Sequence, residues 1–188
     1  MELTTKQIVQ TALLLVICIV SQWMKNISVY ITGSAVNATI ILAVMIIGLN
    51  SGILISVISP VTAFFIAPSP ITMGIPVVIP CIMIGNVLLV MSVWMFKNKI
   101  KRGNSNIRLA VGISIGAIIK AIFMGISIVI ILLPLYGGDI SVPTEKLDIL
   151  LQTAKITFSI TQFITAMIGG CISYIVYLRI RNVEKYRA

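Results

Sequence analysis

The amino-acid sequence predicts an all-α integral membrane protein with six transmembrane helices, and three observations lead to this prediction. Of the 188 residues, 59% are hydrophobic and 10% are charged, whereas about 25% of the residues in a soluble domain are charged. The mean hydropathy is +1.11, which is too high for a surface in contact with water. Long apolar runs alternate with short polar or basic segments along the chain. A soluble fold is therefore excluded, and a chain this apolar would aggregate rather than remain disordered.

Six apolar runs approach the length of about 20 helical residues that a hydrocarbon core about 30 Å thick requires. We place the six helices at about residues 8–24, 35–49, 52–67, 75–96, 109–135 and 154–178. Together they are expected to form a single transmembrane domain over residues 1–188.

The first three runs are bounded by recognisable signals. Run one follows Lys6, so a cleaved signal peptide is its main competitor, but SQWMK at residues 21–25 is no small-residue cleavage site. We therefore expect run one to remain as a helix. Runs two and three are separated only by NSG at residues 50–52, which is a turn signal, and they should form a tight helical hairpin.

Four prolines fall within residues 68–80, at the start of the fourth run. This spacing prevents a regular helix, yet the segment is too apolar for a solvated loop. Non-helical backbone at membrane depth is tolerated only against protein or a cavity. We interpret the segment as an ordered extracellular cap over the mouth of the bundle. The alternative is a simple loop followed by a proline-kinked helix start.

The basic residues predict that both termini are cytoplasmic. With the N-terminus inside, ten Lys and Arg side chains lie before the first helix, after the fourth or after the sixth, all on the cytoplasmic side. Only Lys25, Lys146 and Lys155 then lie outside. The inverted topology would violate the positive-inside bias. The net charge of +9 is thus explained by membrane orientation, and we expect no nucleic-acid partner.

Lys120, in the fifth run, is the most informative residue. It follows Arg108 by twelve positions, which at about 1.5 Å per residue places it about 18 Å into the membrane. A lysine at that depth costs about 2.5–3.5 kcal/mol on insertion scales. Gly112 and Gly116 share its helical face, and small residues mark packed faces, so Lys120 should point into the bundle. There it either binds buried carbonyls as a structural residue or lines a polar cavity, and we favour the cavity.

Other helices contribute polar side chains within apolar runs. Each of them alone is typical of a hydrogen bond between helices, but together with Lys120 they are better explained by a hydrated binding pocket. The predicted substrate-binding residues are Lys120, Asn86, Asn37, Gln162 and Ser159.

The residues that are missing exclude most catalytic chemistry. The sequence has no histidine, its five carboxylates lie outside the long apolar runs, and its three cysteines share no CxxC spacing. A GxxxxGK[ST] phosphate-binding loop is also missing. We therefore predict no catalytic residue, no metal site and no cofactor.

The whole chain resembles one family. Its length, six helices, cytoplasmic termini and outward-facing polar pocket are similar to those of the S component, the substrate-binding membrane subunit of an energy-coupling factor (ECF) transporter. The segments that carry the resemblance are Val36-Asn37-Ala38, Gly85-Asn86, residues 117–123 around Lys120, and residues 162–170.

The resemblance implies a function and partners. An S component captures a water-soluble vitamin or related micronutrient from outside, closes its outer loops over it, and topples in the bilayer against a coupling subunit that two ATPase subunits drive. The resemblance also implies a location in a prokaryotic cell membrane. The family docks the coupling subunit with an Ala-x-x-x-Ala pattern on helix one. The nearest match here is Ala12-x-x-x-Val16, with Ile8 on the same face, which departs from that pattern.

Two other classes of protein are alternatives. A non-transport membrane scaffold would need no lysine at the midplane. A stand-alone secondary transporter normally needs an intramembrane acid or histidine for proton coupling, and this chain offers neither. The midplane ammonium favours a small polar ligand with a carboxylate, phosphate or carbonyl group. A cationic ligand would require Asp139, Glu145 or Asp148 to fold inward from the outer loop.

Overall fold

The predicted fold class is confirmed in the computed structural model of the chain, which describes residues 4–100, 104–140 and 142–187. Within those ranges, six helical stretches are long and apolar enough to cross a membrane, judged by length and composition. The α-helices are α1 (Thr5–Gln22), α2 (Val29–Ile46), α3 (Leu49–Ile66), α4 (Pro70–Gly74), α5 (Val78–Trp94), α6 (Ser105–Met124), α7 (Leu133–Tyr136), α8 (Thr144–Thr157) and α9 (Ile160–Arg187).

Helix α2 begins at Val29, six residues before the predicted start at 35. Ser28 provides the N-cap, with its hydroxyl accepting a hydrogen bond from the Ile31 amide at 3.4 Å. The first turns of α2 contain Thr32, Ser34 and Asn37, all of them buried. Their polarity lowers the local hydropathy, so the apolar run is shorter than the helix.

The hairpin between α2 and α3 turns at Ile47–Gly48, which corrects the predicted turn at residues 50–52. Gly48 has a backbone φ of +143°, a conformation that residues other than glycine rarely adopt. Gly52 lies inside α3 for a packing reason instead. A Cβ atom there would be 2.2 Å from Val44 Cγ2, so this glycine lets α3 lie against α2.

The proline-rich segment contains a short helix, α4, so the predicted lack of helix holds for only part of it. Pro70 occupies the first turn, where a missing amide hydrogen is tolerated, and Ser69 and Thr72 form a capping box. A Cβ atom on Gly74 would lie 2.9 Å from Ile140 Cγ1. The segment is therefore packed closely against the residues that follow α7.

Glycines bring the other long helices together. On α6, a Cβ atom at Gly116 would be 3.0 Å from the carbonyl oxygen of Leu89 in α5. On α9, one at Gly169 would be 2.6 Å from the Ser34 carbonyl oxygen of α2, and one at Gly170 would be 2.2 Å from Ile113 Cγ2 of α6. These contacts confirm the packing face predicted for the fifth run, and they show that glycines of α9 pack in the same way.

The predicted helices five and six are not continuous α-helices. After Met124, the chain continues through π-helical turns at Gly125–Leu132 into α7. The predicted sixth helix, 154–178, is split at Phe158–Ser159 into α8 and α9, and α8 begins ten residues earlier than predicted. The beginning of α8 carries the exposed side chains of Glu145, Lys146 and Asp148, so apolarity alone did not reveal it.

Among the described residues, two apolar clusters form the core. The first occupies the half of the bundle where α1 begins and α9 ends, and it includes Ile41, Leu89 and Ala117. The second occupies the opposite half and includes Val78, Met124 and Phe158. On both α5 and α6 the two clusters are separated by a polar residue, Asn86 and Lys120 respectively.

The orientation predicted from the basic residues can be tested by cysteine labelling. In a cysteine-free background, Asn104→Cys should resist an impermeant maleimide in intact cells, because Asn104 is exposed on the predicted cytoplasmic face. Glu145→Cys, exposed near the start of α8 at the opposite end, should be labelled. Efficient labelling of position 104 from outside would overturn the orientation.

Candidate functional site

A partly open cavity of about 310 Å³ lies among the helices, next to the polar layer between the two apolar clusters. It reaches from Lys120 and Asn86 to residues at the far ends of α1 and α3. The polar residues that line it are Gln22, Lys25, Thr32, Asn37, Ser59, Ser69, Thr72, Asn86, Lys120, Thr153, Thr157 and Gln162. Four of the five predicted binding residues are therefore brought together here.

Lys120 anchors one wall of the cavity. Its side chain is 2% exposed, as its glycine neighbours predict, and Nζ donates a hydrogen bond to Asn37 Oδ1 at 2.7 Å. Asn37 Nδ2 in turn donates to Thr165 Oγ1 at 3.3 Å, and the Thr165 hydroxyl donates to the Thr161 carbonyl at 2.8 Å. This chain of bonds fixes the Asn37 amide with its oxygen towards the ammonium and connects α6, α2 and α9.

Asn86 and Gln22 hold the wall formed by α5 and α1 against α3. Asn86 Nδ2 donates to the Ser56 carbonyl at 3.5 Å, and Gln22 Nε2 donates to the Ser59 carbonyl at 3.0 Å. Gln22 is not among the site residues that the sequence predicts, because it lies at the end of the first apolar run. The feature that points to Gln22 is its carboxamide at the end of an apolar run, because polar side chains in such segments are often functional.

Gln162 and Ser159 lie on either side of the break between α8 and α9, and only Gln162 lines the cavity. Its Nε2 donates to the Thr157 carbonyl at 3.3 Å, which satisfies an acceptor next to the break. Ser159 donates instead to the Lys155 carbonyl at 2.5 Å, and its Cβ faces Gly125 of the π-helical segment. The break changes the helical phase, so the regular spacing that grouped Ser159 with Gln162 does not apply.

Lys25 lines the cavity just beyond the end of α1. Its Nζ donates to the carbonyl oxygen of Ala67 at 2.5 Å, at the C-terminal end of α3, where a cation is favoured by the helix dipole. The sequence places Lys25 on the outer side and predicts no role for it in the site.

The cavity is electropositive. Lys25 and Lys120 both line it, whereas none of the described lining residues is acidic. Glu145 and Asp148 are exposed on α8 and do not line it, and the side chain of Asp139 lies outside the described part of the chain. An uncompensated ammonium favours an anionic or strongly accepting ligand. The walls are otherwise mainly apolar, with Val36, Ile71, Ile82 and Phe158 among them.

Comparison with known proteins decides the family. The model of a family described as "ECF transporter, substrate-specific component" matches residues 6–181. The chain belongs to this family. It is therefore an S component, a multi-pass membrane protein that associates with an ECF coupling module, and the resemblance given by its sequence is confirmed. No curated protein and no solved structure matches this S component.

The surface predicted to dock the coupling subunit lies on the outside of α1. Ile8, Ala12 and Val16 of this S component are all exposed. They continue into a broader apolar surface on the same helix that includes Val9, Leu13 and Val20. Thr11, by contrast, faces inward and donates to Ser51 Oγ of α3 at 2.8 Å.

Access to the cavity can be measured directly. Ala63→Cys, in a cysteine-free background, should react with an impermeant anionic thiosulfonate added outside, because Ala63 lines the cavity and two ammonium groups attract the reagent. Ala43→Cys is the matched control, since Ala43 is fully buried in the first apolar cluster. Equal labelling of the two positions would contradict an outward-facing cavity.

Proposed function

We propose that this S component captures a vitamin or related micronutrient at the outer surface of a prokaryotic cell membrane and delivers it through a coupling subunit driven by two ATPase subunits. The observation that carries the proposal is the Lys120 ammonium, 2% exposed in a cavity without a described acidic partner. A buried ammonium is costly unless a partner group satisfies its charge, and a ligand bound in the cavity would supply that partner.

The chemistry of Lys120 defines what it binds. An ammonium has three N–H donors, and the described structure uses one of them, on Asn37. A ligand carboxylate, phosphate or carbonyl oxygen would accept the others. Asn37 orients the ammonium, while Asn86 and Gln162 offer further polar contacts along the same cavity. Ser159 is not included in the proposed contacts, because it does not line the cavity.

Replacement of Lys120 tests this role. Lys120→Met keeps most of the length and apolar volume but removes a charge-assisted hydrogen bond, which contributes about 1.5–3 kcal/mol. Since 1.4 kcal/mol is about tenfold in affinity, binding should weaken by at least about 10-fold. The measurement is calorimetric titration with the small molecule that native mass spectrometry finds retained on the purified protein.

Two controls make the result interpretable. Lys155→Met makes the same chemical change at an exposed position of α8 outside the cavity, and it should bind with unchanged affinity. Melting curves in detergent report any loss of structure. Unchanged affinity in Lys120→Met, with an altered melting temperature alone, would assign Lys120 a purely structural role.

Assembly with the coupling module tests the proposed docking face. Ala12→Trp should abolish co-purification with the coupling subunit and the ATPases while leaving ligand affinity intact, because Ala12 is exposed on α1 and does not line the cavity. Ile84→Trp, on the exposed face of α5, is the matched control and should assemble normally.

Robust ATP-dependent uptake by this chain reconstituted alone would refute the proposed function.

A further inference from the structure

The connection between α5 and α6 carries positive charge that neither the cavity nor the proposed docking face uses. Lys97 and Lys99 lie on this connection, and Arg108 lies in the first turn of α6. The five acidic residues of the chain lie elsewhere in the sequence, and none of these three cations forms an ion pair with a described residue. A group of positive charges without counter-ions favours an anionic partner.

Two of these cations have partners within the protein. Lys97 Nζ donates to the carbonyl oxygen of Met45 at 2.5 Å, at the end of α2, and lies 5.7 Å from the centroid of the Tyr177 ring. Arg108 Nη1 donates to the carbonyl oxygen of Ile100. These contacts fix the connection relative to α2, α6 and α9, and both side chains keep their positive charge.

Lys99 is the cation that remains available to a partner. Its side chain is exposed, and its Nζ lies 5.6 Å from the centroid of the Trp94 ring. A ring at that distance attracts the ammonium and orients the side chain, while N–H groups that point away from the ring stay free for oxygen acceptors. Lys99 directly precedes Ile100, whose carbonyl Arg108 holds, so a second positive charge lies near the ammonium.

The same connection has the character of a membrane–water interface. Met95 and Ile107, near its two ends, are apolar but 46% and 63% exposed. Trp94 ends α5, and tryptophan is enriched where transmembrane helices leave the hydrocarbon. The polar side chains of Asn98 and Asn104 are exposed between them. Exposed apolar side chains beside an exposed ammonium fit a partner that combines apolar chains with an anionic head.

We propose that the connection between α5 and α6 binds the phosphate headgroup of an anionic phospholipid, such as phosphatidylglycerol, in the leaflet on the predicted cytoplasmic side. Lys99 donates to the phosphate oxygens, and the positive charge of Arg108 strengthens the attraction. Trp94 holds the lysine at the level of the headgroups, and the acyl chains lie along Met95 and Ile107. None of these residues lines the cavity. The inference therefore goes beyond the proposed function and does not depend on it.

Trp94 provides a reporter at the site itself. Trp23 and Trp94 are the two tryptophans of the sequence, so Trp23→Phe leaves Trp94 as the source of tryptophan fluorescence. The full-length variant is reconstituted in bilayers of equal parts phosphatidylglycerol and phosphatidylcholine, with bromine on the acyl chains of one lipid or the other, because bromine quenches tryptophan at short range.

The expected result is stronger quenching by the brominated anionic lipid. A basic residue near an anionic surface contributes about fivefold in lipid binding, and other lipids around Trp94 dilute this effect. Phosphatidylglycerol should therefore be preferred at Trp94 by at least about threefold. Equal quenching by the two brominated lipids overturns the inference.

Single substitutions separate a specific site from the general attraction of a basic surface. In the Trp23→Phe background, Lys99→Gln should abolish the preference for phosphatidylglycerol, and Lys99→Arg should retain it. Lys6→Gln is the matched control, because Lys6 is exposed at the same end of the molecule on α1, which packs against α2 and α3. Its preference should be unchanged. An equal loss of preference in Lys6→Gln and Lys99→Gln contradicts a site at the connection.

Co-purification distinguishes a lipid from a protein as the anionic partner. Lys99→Gln should still co-purify with the coupling subunit and the ATPases, because the proposed partner of Lys99 is a phospholipid. Loss of co-purification together with an unchanged preference for phosphatidylglycerol would assign this surface to the coupling subunit and overturn the inference.

Discussion

The burial of one ammonium group in the middle of the bundle is the constraint on which the rest of the structure depends. Lys120 requires an oriented oxygen, and Asn37 supplies it only because Thr165 holds the other end of the amide. Three helices, α2, α6 and α9, must therefore keep one relative position. Such a requirement is stronger at a buried site than at a surface in water, because a displaced ammonium would have little solvent to replace its partner.

Close backbone approach makes this polar chain possible. A Cβ atom on Gly33 would lie 2.9 Å from Thr165 Cγ2, and Gly169 lies against the backbone of α2 one turn further along. Any larger residue would separate α2 from α9 and carry Thr165 away from Asn37. The glycines are thus part of the site although none of them is polar, which is the usual role of small residues between membrane helices.

The main features of the fold and part of the candidate site could be predicted from the sequence, for physical reasons. Lys120 was predictable because depth and a glycine face together determine where a lysine can point. Asn37, Asn86 and Gln162 were predictable as polar residues inside apolar runs. Ser159 was grouped with them because regular helical spacing cannot reveal the break at Phe158–Ser159. Gln22 and the beginning of α8 were missed because one lies at the end of an apolar run and the other is amphipathic, so hydropathy alone identifies neither.

The division of the core into two clusters bears on how a ligand enters and leaves the cavity. The first cluster joins the long helices near the termini, whereas the second joins α4, the end of α6, α7 and α8 around the cavity. The cavity is lined by members of the second cluster, such as Ile71 and Phe158, and by the polar residues between the two clusters. Opening of the second cluster alone would expose the cavity while the first cluster keeps its contacts, so ligand entry would not require global unfolding. The polar layer proposed to bind the ligand is also the boundary between the two apolar clusters.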